Sequence, residues 1–298
     1  MRRLEKPYVE NEGTVDGLPF VEVRGTGNFS VFKTFDCGQC FRFDPTDAKG
    51  GGYAVSGVAL GKSVTFGQTG EGSLTVLGAS PEDFEAIWLS YLSLDTDYDA
   101  IDSLVTTALD EEGCAVMRRA AEAGRGIRIL RQDPWEALCS FIVSQNNNIP
   151  RIKKIIAALC DAYGEPTEDG RGKSFPTARA LADAGEDAIF ALRTGFRAKY
   201  ITDAARRVAD GEIDLDSVAR ESDFPTCEAE LMKIKGVGPK VADCALLFGF
   251  GKTEAYPVDV WMKKVASRHF RSGPDPKLFG KYAGIAQQYL FYMERYTG

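Results

Sequence analysis

The chain has 298 residues, of which 44 % are hydrophobic, and carries 36 basic against 43 acidic side chains for a net charge of −7. That length suggests about two compact units at roughly 150 residues each, which excludes a disordered or disulfide-stapled scaffold, and the acidic total confines any polyanion-binding surface to a local patch. The single histidine, His269, removes Ser-His-Asp and Cys-His triads built elsewhere and most histidine metal sites, so catalysis must use Lys, Asp, Glu, Cys or Tyr.

The first seventeen residues, MRRLEKPYVENEGTVDG, lack the apolar centre of a signal peptide, and apolar runs such as Ala245 to Phe250 are too short to span a bilayer. A soluble, non-exported protein with no membrane partner is expected, cytoplasmic and nucleoid-associated if bacterial. Seven cysteines with one close pair, Cys37 and Cys40, and no second CxxC read as reduced thiols rather than a tetrahedral zinc site. From Phe20 to about Leu77, Val, Phe, Thr and Tyr alternate with polar residues between glycines, including Gly50-Gly51-Gly52, which predicts short antiparallel strands. Ser80-Pro81-Glu82-Asp83 then carries helix-start chemistry, and helical spacing dominates to the C-terminus. The fold class is therefore α+β, with a β-sheet-containing unit over residues 1–115 and a helical body over 116–298, the first helices being able to join the body.

Charge is polarised along the chain. Pro81 to Glu112 holds ten acids and no Lys or Arg, which reads as a solvated face. Arg151, Lys153 and Lys154 form one basic cluster, and Lys263, Lys264, Arg268 and Arg271 another. Gly61-Lys62-Ser63 and Gly251-Lys252-Thr253 end like phosphate-binding loops, but Ser56 and Leu246 stand where the upstream glycine is needed.

The most informative stretch is CEAELMKIKGVGPKVADCALLF, Cys227 to Phe248. Thr226 can cap a short helix reaching about Lys233, Gly236 and Gly238 supply a tight turn, and Pro239 suits the first position of a second helix. Val241, Cys244, Ala245 and Phe248 then form one apolar stripe. Amides exposed in such a turn bind phosphate, so a helix-hairpin-helix gripping DNA backbone is favoured over a hairpin that only packs. Lys240 lies where the positive end of the helix dipole disfavours an ammonium. A nucleophilic amine and a phosphate-contacting lysine both fit it. In Ala255-Tyr256-Pro257-Val258-Asp259-Val260-Trp261, Asp259 is placed as a helix N-cap, and a rigid carboxylate there could also stabilise positive charge at a sugar C1′.

GVGPKVADC followed by PVDV resembles the helix-hairpin-helix DNA glycosylases with a catalytic lysine, in particular the 8-oxoguanine DNA glycosylase/AP lyase family. Gly38-Gln39-Cys40-Phe41-Arg42, LRQDPWEALCSFIVSQNNNIPRI from Leu130 to Ile152, and GIAQQYLF from Gly284 to Phe291 follow the family's order over about residues 30 to 295. The resemblance implies a bifunctional enzyme that flips 8-oxoguanine out of duplex DNA, excises it through a lysine Schiff base and cleaves the strand by β-elimination. It implies Lys240 as nucleophile with Asp259 as its anion. Gly38 would accept from N7–H of the damaged base, Gln287 would read the Watson–Crick edge, and Cys244 and Phe291 would sandwich the ring. Asn146 would fill the vacated stack, and Arg151 and Arg197 would contact the orphaned cytosine. Gly236 and Gly238 would hold DNA backbone, while the carbonyls of Met232, Ile234 and Val237 could ligate a structural alkali or alkaline-earth ion.

Phe196 stands where eukaryotic members usually carry a tyrosine wedge, and Trp261 where they carry a histidine. No cysteine follows Cys244, so the iron–sulfur cluster of related branches is not expected, and no cofactor is required for catalysis. A monomer acting on duplex DNA with 8-oxoguanine opposite cytosine is expected. A glycosylase for another oxidised base and a non-catalytic hairpin protein that only holds DNA stand as alternatives.

Overall fold

A computed structural model describes residues 6–48, 51–271 and 273–296. Gly50 of the glycine run and the first five residues of the N-terminal segment lie outside the described residues.

Six strands, β1 (Tyr8–Val15), β2 (Leu18–Arg24), β3 (Phe43–Thr46), β4 (Tyr53–Ala59), β5 (Lys62–Gln68) and β6 (Ser73–Leu77), form one antiparallel sheet in the order β1-β2-β6-β5-β4-β3. Two-residue hairpins at Asp16-Gly17 and Leu60-Gly61 have positive φ at both positions (54° and 79°, 52° and 75°), the conformation whose twist matches that of the strands it joins. Strand β1, upstream of the alternation seen from Phe20, has mostly exposed residues, so no hydrophobic period marked it.

The helices are α1 (Val31–Asp36), α2 (Pro81–Asp83), α3 (Leu89–Tyr91), α4 (Tyr98–Val105), α5 (Glu111–Gly124), α6 (Pro134–Ser144), α7 (Ile149–Tyr163), α8 (Ala178–Ile189), α9 (Ala198–Ala209), α10 (Leu215–Arg220), α11 (Phe224–Leu231), α12 (Pro239–Gly249), α13 (Val260–His269) and α14 (Ala283–Tyr296). Ser80 starts α2 with a reciprocal capping box to Asp83. Helix α11 begins earlier than Thr226. Its N-cap is Asp223, whose carboxylate accepts from the Thr226 N–H at 3.1 Å and hydroxyl at 2.6 Å, because a carboxylate at that position satisfies two donors at once.

Two apolar cores meet at a seam. The sheet core gathers Val21, Val23, Phe66 and Val76 with Phe35, Trp88 and Tyr91, and the helical core runs from Tyr98 to Met293. The 115/116 border falls inside α5, whose Val116, Met117 and Ala120 belong to the helical core. Residues 37–43 alternate between the cores: Cys37 and Phe41 enter the helical one, Cys40 and Phe43 the sheet. Gly38 therefore sits on the seam.

Candidate active site

A cleft of about 980 Å³ opens along this seam, and α12, α13, α14 and the α6–α7 connection line it. Gly38, Asn146, Phe196, Gly238, Lys240, Cys244, Asp259, Trp261, Gln287 and Phe291 all face this one cleft.

Lys240 is brought there by the hairpin between α11 and α12. Val237 N–H donates back to the Ile234 carbonyl at 3.0 Å, closing the turn, and Gly236 takes φ +80°. A Cβ on Gly236 would come within 2.5 Å of the Tyr200 ring, so only glycine fits beneath that aromatic. Gly238 is different, since a Cβ there would meet nothing within 4 Å. It serves as N-cap of α12 with no side-chain cap, leaving the start of that helix uncovered toward the cleft. Asp203 of α9 accepts from the Lys235 N–H at 2.8 Å and pairs with Arg207 at 3.0 Å, support that no hairpin motif announces.

Half-buried Lys240 has its Nζ 5.5 Å from the centre of the Phe141 ring. One helical turn on, Cys244 is buried, and burial pushes its thiol up to about 11 against the opposing pull of the Lys240 charge and hydrogen bond. Asp259 caps α13 by accepting from the Trp261 and Met262 N–H groups, both at 2.9 Å, which fixes its carboxylate at the cleft wall. Trp261 lies beside it with the Lys264 ammonium 4.1 Å from its ring centre.

Across the cleft, α14 presents Gln287 and Phe291, 4 % and 9 % exposed. The Gln287 Oε1 is buried and has no hydrogen-bond partner. Gln288, 3 % exposed, donates to the Cys37 carbonyl at 3.0 Å. Gln39, 1 % exposed, donates to the Thr34 and Arg128 carbonyls and accepts from the Leu130 N–H, each at 2.8 Å, while its own carbonyl accepts from Gln132 at 2.7 Å. Gly38, with φ +80°, is thus clamped through both neighbouring residues. Gln39 lies inside the Gly38–Arg42 motif and Gln288 follows Gln287, yet no local pattern marks either as a support. Arg42 of the same motif forms a buried 3.0 Å ion pair with Glu136 of α6, whose pKa burial raises to about 7.

The α6–α7 connection carries three asparagines with separate tasks. Asn147 Nδ2 donates to the Val143 carbonyl at 3.0 Å, and Asn148 caps α7 by accepting from the Arg151 N–H at 3.1 Å. Asn146, exposed and at φ +48°, lines the cleft. Arg197 lies behind this connection rather than in the cleft. It is 1 % exposed and donates to the Gln145 carbonyl at 3.0 Å, to that of Asn146 at 2.9 Å and to that of Thr194 at 3.2 Å. Arg151 is exposed, and its Nη2 is 3.5 Å from the Arg193 carbonyl. Phe196 is 47 % exposed, with the Arg197 guanidinium 4.4 Å from its ring centre.

The basic clusters are partly engaged in structure. Lys153 pairs with Asp44 at 2.8 Å, Arg268 with buried Glu294 at 2.5 Å and Arg271 with Glu112 at 3.5 Å, whereas Lys263 lines the cleft. His269 bonds Glu294 at 3.0 Å, tying the end of α13 to α14. All seven cysteines are free and buried, and no group of three or more His, Cys, Asp or Glu among the described residues could hold a metal. Nor is any helix among them long and apolar enough to cross a membrane.

Residues 23–138 match the N-terminal domain of 8-oxoguanine DNA glycosylase, and 139–281 match the HhH-GPD superfamily of base excision DNA repair proteins. The N-glycosylase/DNA lyase of Saccharomyces cerevisiae is 39 % identical over 160 residues, 49 % of this chain and 43 % of that protein. The N-glycosylase/DNA lyase OGG1 of Arabidopsis thaliana is 34 % identical over 194 residues, 57 % of this chain and 52 % of its own. The chain thus spans about half the length of these curated relatives. Among solved structures, MBOgg1 in complex with a low-affinity DNA ligand superposes with TM-score 0.86 at 39 % identity, covering 99 % of this chain and all of that one. The Clostridium acetobutylicum 8-oxoguanine glycosylase/lyase, in complex with double-stranded DNA containing cytosine opposite 8-oxoG, gives TM-score 0.85 at 35 % identity over 97 % of this chain and 99 % of its own. Two matched domains that abut, and whole-chain likeness at these identities, lead to one assignment: the chain belongs to the 8-oxoguanine DNA glycosylase family of the HhH-GPD superfamily.

Proposed function

We propose that this protein is a bifunctional DNA glycosylase and AP lyase that removes 8-oxoguanine from duplex DNA. The observation that carries the reading is the unpartnered, buried Gln287 Oε1 in the same cleft as Lys240 and Asp259. A guanine-type Watson–Crick edge offers N1–H and N2–H donors to such an acceptor, whereas adenine offers a lone pair at N1. Extruding a base costs a few kcal/mol, which contacts of this kind and stacking on Phe291 and Cys244 offset. The Gly38 carbonyl accepts from N7–H, a donor that guanine lacks.

In the reaction, the free amine of Lys240 attacks C1′ as the C1′–N9 bond breaks, its electron pair leaving with the base, which takes up a proton. Asp259, held by two amides, stabilises the positive charge that develops on the sugar. The C1′–O4′ bond then breaks as a proton passes from Nζ to O4′, which leaves a protonated imine between Nζ and C1′. Loss of a C2′ proton then expels the 3′-phosphate. Asn146 enters the space left by the base, Phe196 wedges the opposite strand and Trp261 packs against the backbone. Arg151 meets the orphaned cytosine, and Arg197 reaches it by exchanging its loop carbonyls for the base. The uncovered start of α12 and the Gly236–Gly238 turn take a phosphate. An alkali or alkaline-earth ion at the carbonyls of Met232, Ile234 and Val237 fits the turn, since the Ile234 oxygen keeps a second lone pair beyond the Val237 N–H. The protein acts as a cytoplasmic monomer.

Borohydride trapping on an 8-oxoguanine:cytosine duplex tests substrate and covalent step together. A trapped adduct is expected with the parent protein and none with Lys240→Gln, which still binds the duplex. Normal trapping in Lys240→Gln, or none in the parent, would overturn the reading.

A further inference from the structure

Helix α14 carries one more polar side chain into the cleft than the assignment uses. Gln287, Phe291 and Arg295 recur at four-residue spacing, so they lie along one face of the helix at about 6 Å steps. Long helical side chains lean toward the helix N-terminus, and Arg295 does so, with its guanidinium 5.6 Å from the Phe291 ring centre. It also lies 5.2 Å from the Tyr296 ring centre. A Cβ built on Gly38 would find the Arg295 Nη1 at 3.6 Å, which puts the guanidinium beside the residue expected to meet N7–H.

Along the purine edge N1 is followed by O6, N7 and C8, and the cleft holds the Gln287 amide two four-residue steps along α14 from Arg295, whose guanidinium lies next to Gly38. We propose that Arg295 donates a charge-assisted hydrogen bond to O8 of the extruded base and is a specificity-determining residue for oxidised guanine. The proposal rests on the reading of the cleft as an 8-oxoguanine site. Guanine carries hydrogen at C8, so the guanidinium finds an acceptor there only on the oxidised base. Gly38 then reads the hydrogen that oxidation adds at N7, and Arg295 reads the oxygen added beside it.

The test uses the full chain with Lys240→Gln as a binding-competent, non-reacting background, and compares dissociation constants for 8-oxoguanine:cytosine and guanine:cytosine duplexes with and without Arg295→Met. Loss of a charge-assisted bond should weaken binding of the 8-oxoguanine duplex by about 10- to 100-fold and leave the guanine duplex within about 3-fold, narrowing the ratio. An equal loss on both duplexes would make Arg295 a phosphate contact and overturn the proposal, as would no loss on either. If the methionine variant folds poorly, Arg295→Lys carries the same comparison with the charge kept and the planar fork removed. Excision by the parent protein is measured alongside. A parent that does not excise 8-oxoguanine removes the premise, whereas an active parent with an unchanged affinity ratio removes Arg295 alone.

Discussion

Gln287 and Gln288 are adjacent, about equally buried and chemically identical, yet Gln288 is bonded to the Cys37 carbonyl while the Gln287 Oε1 has no partner. The Gln288 amide donates to the Cys37 carbonyl at 3.0 Å, so Gln288→Met, which keeps the volume, leaves a buried carbonyl without a partner. Such a loss costs about 1–3 kcal/mol. In a chain of this size it lowers Tm by roughly 2–12 °C. The Gln287 Oε1 has no partner to lose, so Gln287→Met relieves an unsatisfied buried acceptor and leaves stability unchanged or raised by about 1 kcal/mol. Excision should behave in reverse. Gln287→Met removes the group proposed to meet the Watson–Crick edge and should slow single-turnover excision of 8-oxoguanine by about 10- to 100-fold. Gln288→Met acts only through the placement of Gly38 and slows it less. Urea unfolding at constant slope and single-turnover rates on one duplex measure both quantities. Equal destabilisation of the two variants, or full excision by Gln287→Met, would refute the division of labour.

Asp259→Asn keeps an oxygen for the α13 amides and removes the charge, so the excision rate should fall far more than Tm; parallel losses in rate and calorimetric Tm would leave Asp259 a cap only. Gly236→Ala combines φ +80° with a 2.5 Å approach to the Tyr200 ring and should lose both stability and duplex affinity, whereas Gly238→Ala, at φ −108° with open space, should fold normally, as paired melting and binding curves would record. Burial, then the Glu228 charge, raises the pKa of Asp243 on α12 to about 7. A carboxyl raised on folding contributes stability that is complete below its unfolded pKa of about 3.9 and lost as pH rises through about 7, so unfolding free energy should decline across that window and Asp243→Asn should flatten the decline.

Local chemistry made part of this molecule legible. Pro81, Pro239 and Asp259 begin helices where their residue types predict, because capping and a missing N–H act within one turn of chain. Strand β1 escaped because its side chains face solvent, and the Thr226 cap was misplaced because Asp223 upstream offers the stronger acceptor. Within the site, residues that point into the cleft were named from motif and resemblance, but their supports were not. Gln39 reaches Arg128 and Leu130, and Asp203 reaches Lys235, across separations that no periodicity encodes. Arg197 shows the same limit in another form, since no motif encodes the bonds by which it holds the Gln145 and Asn146 carbonyls.

The bond from Gln288 to Cys37 joins positions 251 residues apart, which gives the protein a schedule as well as a shape. Ribosomes deliver the sheet unit and Gly38 first, Lys240 later, and α14 after both. Until α14 docks, the Cys37 carbonyl lacks its donor and the cleft lacks Gln287 and Phe291, although Lys240 is already in the chain. Contacts this distant in sequence form late in folding because loop closure must precede them. A chain that stops short of α14 therefore holds Lys240 without the Gln287 and Phe291 wall of the cleft, so that wall depends on a contact made across most of the sequence.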